Sequence, residues 1–161
     1  MAWRSPICDR TRADVDYAIT KIAEWTAAQL TGQPVTVTEL KGCLNVTDIV
    51  RIEDNIKYLA DMLTSLHYPP STSSKTWSID GLPTLADVNR ILENVRAIIE
   101  AFYQQENVPE VPETMVNYTD VNDVELNLLK IKQLLDAMIG SFRKSGTFTC
   151  GSSRLLPVWR G

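Results

Sequence analysis

Four stretches of this chain carry apolar residues at helical spacing. The sharpest is Thr84–Phe102, where Val88, Ile91, Leu92, Val95, Ile98, Ile99 and Phe102 recur three and four apart and draw one face of an α-helix. Thr47–Leu66 repeats the pattern with Ile52, Ile56, Leu59, Leu63 and Leu66. Thr119–Phe142 has a main stripe of Val121, Val124, Leu128, Ile131, Leu135 and Met138. Leu126, Leu129 and Leu134 widen that stripe, which implies burial on more than one side. Arg12–Leu30 points Val15, Ile19, Ile22 and Trp25 inward. The pattern therefore predicts helices over about 12–30, 47–66, 85–105 and 119–142.

The helix starts repeat as well. Each has Thr or Asn, two residues, Asp, then Val or Ile: Thr11 with Asp14, Asn45 with Asp48, Thr84 with Asp87, Asn117 with Asp120. This is a capping box. The first side chain accepts from the backbone of the Asp, and the carboxylate reaches back to the first residue beside the positive end of the helix dipole. The four aspartates lie 33 to 39 residues apart, a helix plus a connection each time. A helical repeat array keeps a stricter period, so unequal units favour a small bundle. The predicted fold is all-α: a four-helix bundle over 11–142, an extended N-terminal arm over 1–10 and an extended, β-like tail over 143–161.

Thr47–Leu59 aligns without a gap on Ala86–Ile98, and the alignment brings Asn55 and Asn94 into one column, with Asn127 in the same column of the last unit. One reading is a polar flank on a solvated face. The other is a hydrogen bond to a neighbouring segment that sets interhelix register. The second is favoured, because Asn is a mediocre helix former to find three times at one position. Arg51 and Arg90 sit three residues after the capping Asp, placed to bridge Asp and Asn on one helix face or to make loose surface pairs. Between helices, His67–Lys75 and Asn107–Thr114 are proline-rich connections, with Trp77 pinning the far end of the first. Val35–Thr38 alternates like a short strand, and a helical turn through Thr38–Gly42 is the other reading.

Composition narrows the function. The chain has 161 residues with 44% hydrophobic content, which suits one domain with a real core. A net charge of −4 argues against a general nucleic-acid binder. No apolar run reaches membrane-spanning length, and the start shows no signal-peptide core, so synthesis in the cytoplasm is expected. Cys8, Cys43 and Cys150 are too scattered for a disulfide framework and are expected as free thiols. No catalytic site, metal or cofactor is expected. His67 stands alone, and Cys43 with His67 reads better as a thiol and a loop histidine than as nucleophile and base. The four aspartates sit at helix starts, whereas a di-metal bundle needs Glu-x-x-His pairs projecting from mid-helix.

The terminal segments join apolar anchors to basic residues. After Asp136 there is no acid, while Arg143, Lys144, Arg154 and Arg160 are basic. Trp3 and Ile7 in the arm, and Phe148, Leu155, Leu156 and Trp159 in the tail, are the candidate partner-binding residues; the tail either docks on another subunit or folds back on the bundle.

The run of motifs TRADVDYAI, LNVTDIVRIEDNIKYLADML, LPTLADVNRILENVRAIIEAFY, YTDVNDVELNLLKIKQLL and FRKSGTFTCGS resembles virion-associated proteins of phages and prophages of Gram-positive anaerobes, which often lie in or beside tail-module genes. The likeness spans Asp9–Ser152. It implies a non-enzymatic structural or assembly component of a phage particle, located in the virion. Such a part would be an adaptor of the tail, tail tip or fibre, with other virion proteins and copies of itself as partners. A head-fibre or capsid decoration protein, or a small cytoplasmic interaction or regulatory protein, are the other readings.

Overall fold

A computed structural model describes residues 2–77, 83–103, 106 and 108–144. These residues form four α-helices and no strand: α1 (Arg12–Leu30), α2 (Val46–Ser65), α3 (Leu85–Ala101) and α4 (Tyr118–Lys144). Residues 35–38 pair with nothing as a strand, and a turn at Lys41–Gly42 leads into α2. The expected β-like tail, with Phe148, Leu155, Leu156 and Trp159, lies outside the described residues.

Local chemistry sets the helix ends. Thr11 and Thr84 each accept from the backbone N–H of the aspartate three residues on, and Asp14 and Asp87 accept in return from the backbone N–H of Thr11 and Thr84. Asn117 does the same with Asp120. Asn45 N–H donates to Asp48, while the Asn45 amide turns to the carbonyls of Leu40 and Cys43 and ties the incoming turn to α2. At the other end of α2, His67 takes a left-handed backbone, φ 68°, and Tyr68 N–H returns to the Leu63 carbonyl, which closes the helix. α3 ends at Ala101 rather than near Gln105, because Phe102 leaves helical geometry and sets its ring edge-on to Tyr68.

The core comes from three helices. Counted from the capping aspartate, the same positions turn inward in each: Ile49, Ile52, Ile56 and Leu59 in α2; Val88, Ile91, Val95 and Ile98 in α3; Val121, Val124, Leu128 and Ile131 in α4. The three-four spacing is that of a coiled coil, and β-branched residues at both kinds of core position favour three strands. The helices run parallel. Arg51 meets Glu125 and Tyr58 meets Lys132 at one constant offset between α2 and α4. Glu53 meets Arg90 near the start of α2 and α3, and Tyr68 meets Phe102 just past their ends.

The four-helix bundle read from the sequence is therefore corrected to a parallel three-helix bundle with α1 outside it. α1 gives no residue to the core cluster, and Ala18 is its only buried residue. Val15 and Trp25 are half-buried, while Ile19 and Ile22 are 58% and 46% exposed. Its base is pinned: a Cβ on Gly42 would stand 2.1 Å from the Asp14 carbonyl oxygen, so only glycine lets the returning chain pass that close. Lys41 adds bonds to the Asp9 carbonyl and carboxylate. α1 has no place in the bundle because extended segments fill the grooves between α2, α3 and α4.

Gly42→Ala is expected to displace α1 while α2–α4 stay folded. Circular dichroism should lose no more than the α1 share of helical signal, with the denaturation midpoint of the remainder unchanged. Simultaneous melting of all helices would place α1 in the cooperative core.

Candidate functional site in the strapped grooves

A parallel bundle in one chain needs a return path along each helix, and here the return paths are straps. The arm (residues 3–10) lies between α2 and α4, residues 70–77 between α2 and α3, and residues 109–112 between α3 and α4. An extended strap has no ladder for its backbone polar groups, so side chains must supply partners.

The three asparagines do this. Asn55 Oδ1 accepts from Arg4 N–H at 2.9 Å and its Nδ2 donates to the Arg4 carbonyl at 2.9 Å. Asn94 holds Ser73 in the same way, at 3.0 and 2.7 Å. Asn127 Nδ2 donates to the Pro109 carbonyl at 2.9 Å, and the proline has no N–H to return. All three asparagines are buried. The expected hydrogen bond to a neighbouring segment is present at each, and that segment is extended backbone lying against the helix rather than another helix. Asn122 repeats the two-way grip on Arg10 N–H and carbonyl, at 3.2 and 2.9 Å.

Acid and guanidinium groups lock the grooves. Glu125 is fully buried and accepts from Ile7 N–H, from Arg51 at 3.0 and 2.6 Å, and from Arg10 at 3.1 Å. Asp48 accepts from Arg10 at 2.9 Å and Arg51 at 2.6 Å, so two cations face two carboxylates in one cluster. The next groove repeats the theme: Glu53 accepts from Arg90 and from Trp77 Nε1, and Arg90 also donates to the Ser73 carbonyl at 2.9 Å. In the third groove Leu92 stands where Glu53 and Glu125 stand in their units, and Arg96 donates to the Pro112 carbonyl at 2.6 Å instead. Arg51 thus bridges to its own capping Asp but also across to α4, and Arg90 reaches α2 and the strap rather than its own helix.

The arm residues read as partner-binding lie on their own bundle. Trp3 packs edge-on to Tyr58 at 5.6 Å with Lys132 over both rings, and Ile7 is bonded to Glu125. The aromatic packing on Tyr58 and the buried acid seat Trp3 and Ile7 in the α2–α4 groove of their own chain. Sequence reasoning missed Arg10, Glu53, Glu125 and Gly42. Only the two glutamates left a trace, a Glu five residues after the capping Asp in two of the units.

The electrostatics follow from this wiring. Burial pushes Asp48 up, but the Asn45 N–H and the Arg51 guanidinium outweigh it and the carboxyl ends below its ordinary 3.8. The Lys75 ammonium, then the Thr84 hydroxyl and N–H, hold Asp87 well below the carboxylate range. The Thr11 hydroxyl and N–H lower Asp14. Burial, then Glu125, push the Cys8 thiol up to about 11, so it is no nucleophile at neutral pH. Cys43 precedes α2 and His67 follows it, about 30 Å apart along a 20-residue helix. They do not meet. Among the described residues no group of three or more His, Cys, Asp or Glu could hold a metal, and no helix is long and apolar enough to cross a membrane.

Fold and grooves together define the class as a single-chain, parallel three-helix bundle with strapped grooves. Comparison with protein-family models, curated proteins and solved structures finds no match to this chain.

Asn94→Ala strips Ser73 of a donor and an acceptor and is expected to cost about 2 kcal/mol. Asn127→Ala removes one strap bond and should cost about 1 kcal/mol. Urea denaturation checks the order, and equal costs would show that the two-way grip adds nothing.

Because the Asp14, Asp48 and Asp87 carboxyls are lowered from 3.8, each stabilises the fold above that pH. That contribution fades as pH falls below 3.8. Asp87→Asn should flatten the loss of stability between pH 5 and 2, about the window such depressed carboxylates set, in a pH series of denaturation midpoints. An unaltered slope would remove Asp87 from the acid transition.

Proposed function

We propose that this chain is a non-enzymatic assembly subunit of a phage particle, an adaptor of the tail, tail tip or fibre working through protein–protein contacts. The observation that carries the reading is the shape. Three in-register helices in one chain present an approximately three-fold surface, from which α1 projects with Tyr17, Ile19, Ile22 and Leu30 exposed. Ile19, Ile22 and Leu30 share one side of α1, and large apolar groups left together in water are typical of a contact surface. A strapped three-stranded core gives it a rigid mount. The resemblance of the repeated Asp-Val/Ile-x-Arg-Ile and Asn motifs to tail-module proteins names the setting.

Mass spectrometry of purified particles from the source strain should find the chain at low copy number, with the tail proteins. An abundance matching the major capsid protein would make it a decoration protein. Absence from particles would overturn the reading.

A further inference from the structure

α1 has two unlike sides. Ala18 is buried on one, with Lys21, Trp25 and Ala28 half-buried beside it. The chain leaves the end of α1 at Thr31 and returns to Gly42 at its base, so α1 has a return segment of its own, as the core helices have their straps. The other side is open. Val15, Ile19, Ile22, Thr26 and Leu30 follow one another at spacings of four, three, four and four, within an arc of about 80° around the helix. Ile19, Ile22 and Leu30 are 58%, 46% and 84% exposed. This is the narrow three-four seam of a coiled coil, on a helix that gives nothing to the core of α2–α4.

We propose that three copies of the chain pair their α1 helices in parallel along this seam and so build a second three-stranded bundle from three chains. The way the chain builds its own core selects the copy. One and eight residues past the capping aspartate, α2, α3 and α4 bring Ile49 and Ile56, Val88 and Val95, Val121 and Leu128 to their shared core. α1 has Val15 and Ile22 at the same two counts from Asp14, behind the same capping box, and leaves Ile22 in water. The same face is present on four helices and paired on three. Isoleucine at both kinds of seam position, here Ile19 and Ile22, favours three strands over two. A three-fold ring closes on itself, so association stops at the trimer.

The flanks suit an identical neighbour. Ala18 and Gln29 border the seam on one side, Ala23 and Asp16 on the other. Asp16 is answered within each helix by Arg12 at 2.9 Å, and Lys21 and Glu24 pair with each other at 2.7 Å away from the seam, so copies meet without unanswered like charge. An antiparallel pairing would lay Arg12 against Leu30. Parallel pairing gathers the Arg12–Asp16 pairs at one end and the Leu30 side chains at the other. The trimer names a partner for the α1 face and is a property of the chain alone, so it stands whether or not the chain is found in particles.

Sedimentation equilibrium of the full-length chain over a concentration series should give a trimer. Ile22→Asp should raise the concentration of half-assembly by about tenfold or more, with circular dichroism unchanged because α1 lies outside the core. Val37→Ser removes an apolar group that is 66% exposed but off the seam, and should leave assembly as it is. Under mild oxidation Ile22→Cys should form disulfide-linked pairs of chains above the level of the parent protein, because a parallel seam in register sets residue 22 beside its copies. Glu24→Cys, on the far side of α1, should not. A monomer at every concentration, an assembly indifferent to Ile22→Asp, or linking at residue 24 equal to that at residue 22 would overturn the proposal.

Discussion

A parallel bundle built from one chain must carry the chain back from the end of each helix to the start of the next, and the returning backbone has to be paired. Helices satisfy their own polar groups, but extended return paths do not. The buried asparagine seven residues past the capping aspartate of α2 and of α3 meets this need with one side chain, accepting from and donating to the same strap residue, and Asn127 in α4 donates to its strap alone. The rest of the architecture depends on that grip. With the straps held in the grooves, the three apolar faces close on each other and no groove is left for α1.

The charged groups do a different job from the apolar core. Two guanidiniums facing two carboxylates in the α2–α4 groove are costly to bury, and such clusters contribute geometry more than stability. Here they fix which segment lies in which groove. The arm groove uses Glu125 with Arg51 and Arg10, the next uses Glu53 with Arg90, and the third replaces the acid with Leu92 and binds its strap through Arg96. Three nearly equivalent grooves would otherwise admit each other's straps. The differences in polar wiring remove that ambiguity.

The same economy shapes the surface. A three-stranded parallel core usually needs three chains; here one chain supplies it, so each strand and strap can differ. α1 is an excursion between the arm and α2, closed at its base by Gly42 against Asp14 and by Lys41 against Asp9. Removed from the path, it leaves a first unit built like the other two, a strap followed by a capped helix. α1 is thus an added, outward element that gives no residue to the core cluster.

The existence, type and approximate limits of the helices were legible in the sequence, because three-four spacing and Asp at the third helical position are local effects of helix geometry and unpaired N–H groups. The recurrence of Asn55, Asn94 and Asn127 also marked them as more than surface residues. The sequence could not say that the helices run parallel, that α1 is left out or that Trp3 lies on Tyr58, since an amphipathic face carries no address. Tertiary structure decided these. Once the arm, with Arg10 between Asp48 and Glu125, filled the α2–α4 groove, the space a fourth helix would need was gone, and only the assembled bundle could show it.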